Sequence, residues 1–318
     1  MSEKIAIVGA GISGANLAYL LSRAGFEVDL FEKARGPGGR TATRKYVDGQ
    51  KTYAIDHGAQ YIDVENPEFQ DFITELEQMG LVEKFTKLNT INTYVAVPAM
   101  NVITKSLLKN VSCHFAVRVG QVKRKNNRNY LYDYKEELLG EYDLVVSTAP
   151  PKQSAELLRN FSQFDFLADI EMKAHFAVML ISKLKPDFDF TEMHLPDDDV
   201  LNWIGINSKK PQRANDLAII MHTNFKWSLA NQDRDREEIT YLVLDKLKQY
   251  TNFVDQDPIY LACHRWLYAR TLEPLRQDYI WDAENSLACC GDYMLGDNIE
   301  AAYLSSKRLA EFIKTKTI

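Results

Sequence analysis

Apolar runs and amphipathic stretches alternate at the start of the chain. Lys4-Ile5-Ala6-Ile7-Val8 is a mostly apolar run, which predicts a short buried strand. Residues 15–21 follow with the apolar spacing of a helix, and residues 27–31 form a second strand-like run. This strand–helix–strand order predicts a βαβ unit, and therefore an α/β fold with a central parallel sheet.

The pattern changes about halfway along the chain. A helix is predicted over 103–108, followed by strands near 111–122 and 131–135 and by a buried parallel strand over 142–148. From about residue 155, the strand-like runs over 173–181, 201–206 and 217–222 accompany an amphipathic helix over 236–250. We therefore expect a Rossmann-type, doubly wound domain and a smaller α+β substrate domain with a mainly antiparallel sheet. The expected segments are 1–66, 99–155 and 261–318 for the first domain, and 67–98 and 156–260 for the second, which includes a helix over 69–79 and a strand over 93–97.

A glycine-rich turn separates the first strand from the first helix. Gly9, Gly11 and Gly14 have the G-x-G-x-x-G spacing that binds a dinucleotide pyrophosphate. Gly9 permits the tight turn, Gly11 lets the backbone approach the phosphates, and Gly14 lets the helix pack on the strand. The amides of Ile12 and Ser13, at the helix N-terminus, face the negative charge.

The end of the second strand indicates which dinucleotide is bound. Glu32 can accept hydrogen bonds from a ribose diol. A second glycine-rich turn between basic residues follows at once, and it suits a cofactor that reaches further than NAD; its expected contacts are Lys33, Arg35, Gly38, Gly39 and Arg40. The sequence therefore predicts FAD.

A third glycine motif lies near the end of the chain. Residues 286–290 predict a short buried strand that ends in Gly291-Asp292, and an amphipathic helix follows. We expect Asp292 to contact the ribityl or pyrophosphate part of FAD and the helix N-terminus to face the flavin ring. Asp297 and Glu300 have the spacing of a capping box. The expected cofactor contacts here are Gly291, Asp292, Asn298, Ile299 and Ala302.

Composition narrows the class of protein. The 318 residues are 46% hydrophobic and 26% charged with a net charge of −6, so we expect a globular protein of two domains that binds neither nucleic acid nor membrane. The basic run at 123–128 predicts a solvated hairpin tip. The four cysteines have neither metal-ligand nor disulfide spacing, so we expect no metal site and a cytoplasmic location. Because the first predicted strand begins at residue 4, we expect no signal peptide.

Seven blocks run in order from one end of the chain to the other: VGAGISG, EKARGPGGR, DHGAQYI at 56–62, DLVVSTAPP at 143–151, IMHT at 220–223, HRWLYA at 264–269 and CGDY at 290–293. Together they resemble the renalase type of the amine-oxidase-like flavoproteins, above all the bacterial renalases. Tyr293 stands where the family has Trp, and residues 97–101 depart from the usual glycine-containing turn.

This resemblance implies further site residues. It adds cofactor contacts at His57, Gly58, Ala59, Gln60, Val119, Thr148, Ala149 and Pro150. It also implies a substrate site at the flavin face formed by Tyr61, His222, Trp266, Tyr268 and Tyr293. Each of these five side chains has an alternative interpretation as ordinary core packing.

The resemblance also implies an activity: hydride transfer to non-covalently bound FAD from the 2- or 6-dihydro isomers of NAD(P)H. NAD(P)⁺ is returned, and O₂ takes the electrons and gives H₂O₂. We expect a monomer or weak dimer. Two alternatives stay open: another oxidase or desaturase of the same superfamily, acting on an amine, a polyene or a porphyrinogen, and a non-catalytic FAD or dinucleotide sensor.

Overall fold

The computed structural model describes residues 3–85 and 92–316. The helices are α1 (Ile12–Arg23), α2 (Pro67–Gln78), α3 (Val102–Leu107), α4 (Pro151–Leu157), α5 (Phe225–Ala230), α6 (Arg236–Thr251), α7 (Asp292–Leu295) and α8 (Ile299–Lys314). The strands are β1 (Lys4–Val8), β2 (Glu27–Glu32), β3 (Thr43–Asp48), β4 (Lys51–Asp56), β5 (Ile62–Asp63), β6 (Val82–Lys84), β7 (Thr93–Ala96), β8 (Ser112–Phe115), β9 (Val119–Lys125), β10 (Arg128–Asp133), β11 (Leu138–Tyr142), β12 (Leu144–Ser147), β13 (Met172–Ser182), β14 (Glu192–His194), β15 (Leu201–Ile206), β16 (Leu217–Thr223), β17 (Tyr260–Thr271), β18 (Ile280–Asp282) and β19 (Leu287–Cys289).

A six-stranded sheet in the order β18-β19-β12-β1-β2-β8 forms the first half of the molecule. Its strands are parallel except for β18, which pairs antiparallel with β19. Alternating side chains of β1 divide between two cores: Ile5 and Ile7 pack with α1 and α8, and Ala6 packs on the other face with the small sheet β11-β10-β9 and with α4. The predicted doubly wound domain is therefore confirmed.

A five-stranded, antiparallel sheet in the order β14-β15-β16-β13-β17 forms the second half. One face is covered by α6, where Ile239, Val243 and Leu247 are buried as the predicted helical stripe requires. Half of the other face packs against Tyr53 and Ile55 of the β3–β4 hairpin. The rest of that face carries the histidines and aromatic residues of the candidate site.

The helix α2 packs against α8. The rings of Phe72 and Tyr303 stack at 4.4 Å, and Glu68 accepts hydrogen bonds from Lys307 at 2.7 Å and Arg308 at 2.6 Å. These contacts tie α2 to the half of the molecule that contains the parallel sheet, whereas the predicted division assigned residues 67–98 to the substrate domain; residues 86–91 of that segment lie outside the described residues. The domain boundaries stay a prediction.

Local details differ from the sequence-based expectations. The single strand expected near 111–122 is two strands, β8 and β9, in different sheets, because left-handed Ala116 turns the chain between them. The predicted capping box at the start of α8 is wrong: Asn298 caps the helix by accepting from the amide of Ala301, and Glu300 instead accepts from the amides of Glu65 and Asn66. The basic hairpin tip is present, with Asn126 and Asn127 at positive φ. In the described chain, no helix combines the length and the apolar character needed to cross a bilayer.

Candidate active site

The first glycine turn forms a cradle at the carboxyl end of β1. Gly9 has φ of +114°, and a Cβ built on Gly14 would lie 1.9 Å from the Gly9 carbonyl oxygen, so both positions require glycine. Gly11 is different, because nothing lies within 4 Å of a Cβ built there. No side chain caps the start of α1, and its first turn contains no acidic residue. The amides of Ile12 and Ser13 therefore belong to a helix N-terminus that can bind a phosphate.

The second glycine turn packs directly against the first. Gly38 donates its amide to the Ala10 carbonyl at 2.9 Å, and a Cβ on Gly39 would lie 3.1 Å from Gly11 Cα. Gly38 and Gly39 have φ of +141° and +51°. The backbones of the two turns are therefore in contact and form one continuous surface.

Glu32 lies beside this cradle. Its carboxylate accepts from the amide of Ala10 at 2.8 Å and from that of Ala34 at 2.8 Å. These bonds fix the carboxylate, and each oxygen of an ionised carboxylate can accept a further hydrogen bond, as a ribose contact requires. Of the basic residues, Lys33 donates to Gln153 at 2.8 Å and Arg35 is exposed.

The turn after β12 completes this edge of the sheet. The Thr148 hydroxyl donates to the carbonyls of Val8 and Gly9 at 3.1 Å each, so Thr148 contacts the cradle itself. Ala149 and Pro150 follow at the start of α4 and are half-buried. Val119 opens β9, two residues after Val117 donates its amide to the Glu32 carbonyl at 3.0 Å. These four predicted cofactor contacts therefore lie around the same strand ends.

A bidentate ion pair joins the second glycine turn to the late Gly-Asp motif. Arg40 donates to the two carboxylate oxygens of Asp292, at 2.6 Å and 2.5 Å, and Asp292 is buried directly after Gly291 at the start of α7. Both residues were predicted to contact the cofactor separately, but in the structure their side chains bind each other. The pair therefore links two parts of the cofactor site that are 252 positions apart in sequence.

The start of α8 lies against α1. The Ser13 hydroxyl donates to the Ala302 carbonyl at 2.9 Å, and Ile299 and Ala302 are both buried in the core that α1 and α8 share. Asn298 is the cap residue. The predicted early and late cofactor motifs are thus joined by direct packing.

The segment 57–61 runs between the two halves of the molecule. Ala59 donates its amide to the Arg40 carbonyl at 2.8 Å, and a Cβ on Gly58 would lie 2.0 Å from that same oxygen. Gln60 donates to the carbonyls of Asp56 at 2.7 Å and Gly58 at 3.0 Å. The backbone of His57 accepts from Trp266 Nε1 at 2.8 Å. The segment is therefore held from both sides.

An aromatic face lies on the half of the antiparallel sheet that the β3–β4 hairpin leaves uncovered. Trp203 is the register partner of His222, and Ala177 is the register partner of both His222 and His264. Ala177 carries only a methyl group, so it adds little bulk between the two imidazoles. We define the aromatic face by six side chains: His57, His175, Trp203, His222, His264 and Trp266.

The rings of this face contact one another. His175 and His222 stack with their ring centres 4.6 Å apart, and the ring centre of Trp203 lies 5.1 Å from that of His222. The ring centre of Trp266 lies 5.4 Å from that of His57 and 4.3 Å from that of His264. Within the part of the chain that the structure describes, His57 Nδ1, His175 Nε2 and His222 Nε2 are buried without a hydrogen-bond partner. Buried polar atoms without a partner are rare in folded proteins, so three of them in one cluster of rings mark this face as a candidate ligand site.

Burial keeps these histidines neutral. Desolvation, with the neighbouring His264, lowers the pKa of His57 to about 3. Burial, with Arg270, lowers the pKa of His175 to about 3, and burial with Arg44 lowers that of His264 to about 4. Burial and the adjacent His175 hold the pKa of His222 well below its ordinary value. At neutral pH each of these rings offers both a donor and an acceptor nitrogen.

The five predicted substrate-site residues divide into two groups. His222 and Trp266 belong to the aromatic face, and Tyr61 borders it, with its ring 6.3 Å from Trp203. Tyr293 lies elsewhere: it is 1% exposed in the core with Leu157 and Met294. The residue before it, Asp292, pairs with Arg40.

Tyr268 lies in a β-bulge. The register of β17 against β13 passes from the pair Trp266–His175 directly to the pair Arg270–Lys173, so residues 267–269 have no partner of their own. The predicted alternation of Trp266 and Tyr268 is therefore interrupted. The bulge also brings the Ala269 carbonyl to 3.4 Å from Arg40.

Sequence reasoning missed three members of the aromatic face: His175, Trp203 and His264. All three lie within strands that were predicted, or within the HRWLYA block itself. The period-two alternation that places Ala177 and Met179 on one side of β13 also places His175 there, and this signal could have found it. The pairing of β15 with β16, which brings Trp203 to His222, is not encoded locally.

The residues present fit FAD. The open space at Gly11 and the uncapped N-terminus of α1 suit a pyrophosphate, and the fixed carboxylate of Glu32 suits a ribose. The unpartnered His57 Nδ1 suits a polar atom of a bound molecule.

Comparison with known proteins supports the same assignment. Residues 7–76 match an NAD(P)-binding Rossmann-like domain, and residues 84–313, most of the chain, match the flavin containing amine oxidoreductases.

Individual relatives are similar over different extents. The flavin-dependent L-tryptophan oxidase of Lentzea aerocolonigenes is 30% identical over 89 residues, which are 28% of this chain and 18% of that protein. The chain thus matches less than a fifth of this curated relative's length. Cyclohexylamine oxidase from Brevibacterium oxydans has a TM-score of 0.72 at 13% identity, with 99% of each chain covered. Wild-type putrescine oxidase bound to putrescine also has a TM-score of 0.72, at 12% identity, covering 99% of this chain and 100% of that one. These two likenesses establish the fold.

Proposed function

The chain belongs to the flavin containing amine oxidoreductases and is an FAD-dependent oxidoreductase, and we propose that within this family it oxidises the 2- or 6-dihydro isomers of NAD(P)H in the manner of renalase. A hydride leaves the ring carbon of the dihydronicotinamide, and NAD(P)⁺ is released. Bound FAD supplies the hydride acceptor, and its two electrons pass with two protons to O₂, giving H₂O₂.

The observation that carries this proposal is the neutral aromatic face. A dihydronicotinamide ring is flat and uncharged, with a carboxamide that needs both a donor and an acceptor. The stacked pair His175–His222 supplies two buried Nε2 atoms without partners, and Trp203 and Trp266 supply flat apolar walls on either side. The proposed role of this face is to hold the ring in one orientation.

A fixed orientation of the nicotinamide ring would also let the enzyme discriminate between these isomers and ordinary NADH. A pocket that presents the 2- or 6-carbon to the flavin misplaces the 4-carbon that NADH oxidises. A misplacement of about 1 Å can lower the rate about a hundredfold. His222 and Trp266 are the proposed substrate contacts, with Tyr61 at the border; Tyr293 and Tyr268 are not needed in this role.

A second candidate is amine oxidation. The family description and the relatives that oxidise L-tryptophan, cyclohexylamine and putrescine, according to their names, support it. One feature of this chain also favours it: the largely buried carboxylate of Glu192 accepts from Trp203 Nε1 at 2.9 Å and lies next to the Tyr61 hydroxyl. A protonated amine could pair with that carboxylate.

An anaerobic mixing experiment separates the two candidates. The purified yellow protein is mixed with 2-dihydro-NAD(P), 6-dihydro-NAD(P), ordinary NADH and simple amines, and flavin absorbance is followed near about 450 nm. Rapid bleaching by a misreduced dinucleotide, with little response to NADH, supports the proposal and identifies the isomer. Bleaching by an amine alone overturns it in favour of the second candidate. Admitting O₂ and measuring H₂O₂ then tests the acceptor.

A matched pair of variants locates the substrate. His222→Ala removes an unpartnered imidazole from the aromatic face. The control, His114→Ala, removes an exposed imidazole from β8 of the parallel sheet, where it pairs with Asp29 at 3.3 Å. We expect His222→Ala to retain FAD but to reduce flavin bleaching by the preferred substrate about tenfold or more, because the substrate loses one or two directed hydrogen bonds. We expect His114→Ala to behave like the wild type; equal behaviour of both variants would remove His222 from the proposed site.

A further inference from the structure

An ionic cluster is buried next to the segment 57–61. Asp56 accepts from Arg213 at 2.8 Å and from Lys210 at 3.2 Å through the same oxygen, and its other oxygen accepts from Thr43 at 2.7 Å and the Met100 amide at 3.0 Å. The side chains of Asp56, Lys210 and Arg213 are 0%, 2% and 1% exposed. Complete burial of three charges is unusual, because each loses its hydration and must be paired.

The two cations do different things. The other hydrogen bonds of Arg213 within the described residues go to the carbonyl oxygens of Ala96 at 3.0 Å and Pro211 at 3.2 Å. Lys210 reaches the predicted cofactor segment: its Nζ donates to Gln60 Oε1 at 2.9 Å and lies 5.4 Å from the centre of the Tyr61 ring. Lys210 is therefore the member of the cluster that connects Asp56 to the flavin-facing segment.

The contact with Lys210 fixes the Gln60 amide. The nitrogen of that amide donates to the carbonyls of Gly58, within the segment, and of Asp56, which directly precedes it. Its oxygen accepts from Lys210. Without the ammonium group, the amide oxygen loses a charged donor and Tyr61 loses a cation on its face, so both side chains gain freedom.

We propose that Lys210 is a positioning residue for the active site, and that its ammonium group, anchored on Asp56, sets the orientation of Gln60 and Tyr61 toward the bound flavin. The proposal rests on the proposed site, but not on which substrate is oxidised there.

The position of Lys210 makes this role dependent on pH. Burial lowers the pKa of Lys210 to about 8, with Asp56 opposing the shift and Arg213 adding to it; Glu192 also faces the ammonium group, and His222 and Tyr61 lie nearby. Above that pH, the neutral amine no longer provides a charge-assisted bond to Gln60. We therefore expect the environment of the flavin to change on the alkaline side of neutrality.

The test uses the visible spectrum of the FAD-loaded protein, titrated from about pH 6 to about pH 10, which brackets the transition. The wild type should show a spectral transition near pH 8. Lys210→Met should lack the transition, and Lys210→Arg should lack it too while keeping the charge, because a guanidinium does not deprotonate in this range. Lys209→Met is the matched control, since Lys209 is the adjacent lysine and pairs with the exposed Asp189; its titration should match the wild type.

The kinetic test compares the effect of each substitution on kcat with its effect on KM. We expect Lys210→Met to lower the rate of flavin reduction between about tenfold and a hundredfold, as a misplaced reacting geometry does, with little change in KM, and Lys210→Arg to restore most of the rate at neutral pH. Gln60→Leu removes the acceptor and leaves Asp56, Lys210 and Arg213 in place, so it should lower the rate similarly even if Lys210→Met fails to fold.

The outcomes that would overturn the proposal are specific. A wild-type transition that persists in Lys210→Met, or a Gln60→Leu variant with unchanged spectrum and rate, would show that Lys210 does not position the site. Because the spectral titration needs no substrate, it is decided even if none of the dihydronicotinamides bleaches the flavin.

Discussion

The cofactor cradle and the aromatic face are built from different parts of the chain. The cradle is made almost entirely of backbone, from Gly9, Gly11, Gly14, Gly38 and Gly39. Apart from His57, the aromatic face is made of side chains from strands that are neighbours only in the folded sheet. The cradle can bind the dinucleotide part common to many cofactor proteins, whereas the aromatic face is the region that we propose to distinguish one substrate from another. Changes in the two regions should therefore have different consequences.

The largest effect on stability is expected at the buried ionic cluster of Asp56, Lys210 and Arg213, which we call the anchor. Asp56→Ala leaves Lys210 and Arg213 buried without their carboxylate, and removing one partner of a buried ion pair lowers the free energy of unfolding by about 3–5 kcal/mol. Urea unfolding measures the loss. Asp189→Ala, which removes the carboxylate of an exposed pair, serves as the control and should leave the unfolding midpoint unchanged. A loss of less than about 1 kcal/mol in Asp56→Ala would contradict the importance of the anchor.

Two glycines of the cradle should have different roles: Gly14 is needed for the fold, and Gly11 is needed for cofactor binding. Gly14→Ala places a Cβ 1.9 Å from the Gly9 carbonyl oxygen, so we expect a loss of about 3 kcal/mol or more in stability. Gly11→Val adds atoms where the structure has open space, so the apoprotein should keep its melting temperature but purify nearly colourless. Thermal unfolding and FAD titration of both variants measure this contrast. Yellow, FAD-replete Gly11→Val protein would contradict the assignment of the cradle.

The ion pair between the two glycine motifs should have an intermediate effect. Arg40→Met leaves the buried Asp292 without its bidentate partner, and we expect a loss of about 1.5–3 kcal/mol together with weaker FAD binding. Arg40→Lys keeps the charge but not the two parallel bonds, so it should recover only part of the loss. Urea unfolding and FAD titration measure both quantities. Equal stability of Arg40→Lys and the wild type would show that charge alone matters here.

The aromatic face should make the protein sensitive to acid. The folded-state pKa of His57 and His175, about 3 for each, lies below the ordinary value of 6.5. The unfolded chain therefore binds protons first as the pH falls below 6.5, and stability is lost from there toward pH 3, by about 1.4 kcal/mol per pH unit for each histidine. Urea unfolding at several pH values measures the slope. His57→Gln should flatten it, and an unchanged slope would mean that His57 is not buried in its neutral form.

The cradle was predictable from sequence because its determinants are local. The tight turns need glycine at fixed spacings, and the strand and helix around them follow from apolar periodicity, so residues 4–40 could be interpreted almost position by position. The strands of the second sheet were also found from their apolar runs. What sequence could not supply was the register, which brings Trp203 to His222 and interrupts β17 at Tyr268.

The buried anchor was missed for a related reason. Lys210 and Arg213 are separated from Asp56 by more than 150 positions and, in sequence, resemble an ordinary charged loop. In the folded molecule the β3–β4 hairpin packs against the second sheet, and the side chains of Lys210 and Arg213 are only 2% and 1% exposed. Tyr293 shows the opposite error. Its place after a recognisable motif predicted a position at the flavin face, but in the structure it is buried in the core, next to the Asp292 that pairs with Arg40.

The most direct test of the division between cradle and aromatic face is one titration on two variants. Gly11→Val and His222→Ala are each titrated with FAD and then with NAD⁺, the proposed product, while flavin absorbance near about 450 nm is followed. The account predicts that Gly11→Val fails to bind FAD, whereas His222→Ala binds FAD like the wild type but loses the NAD⁺-induced spectral change. Normal FAD binding by Gly11→Val, or an unchanged response of His222→Ala to NAD⁺ at the wild-type concentration, would contradict it.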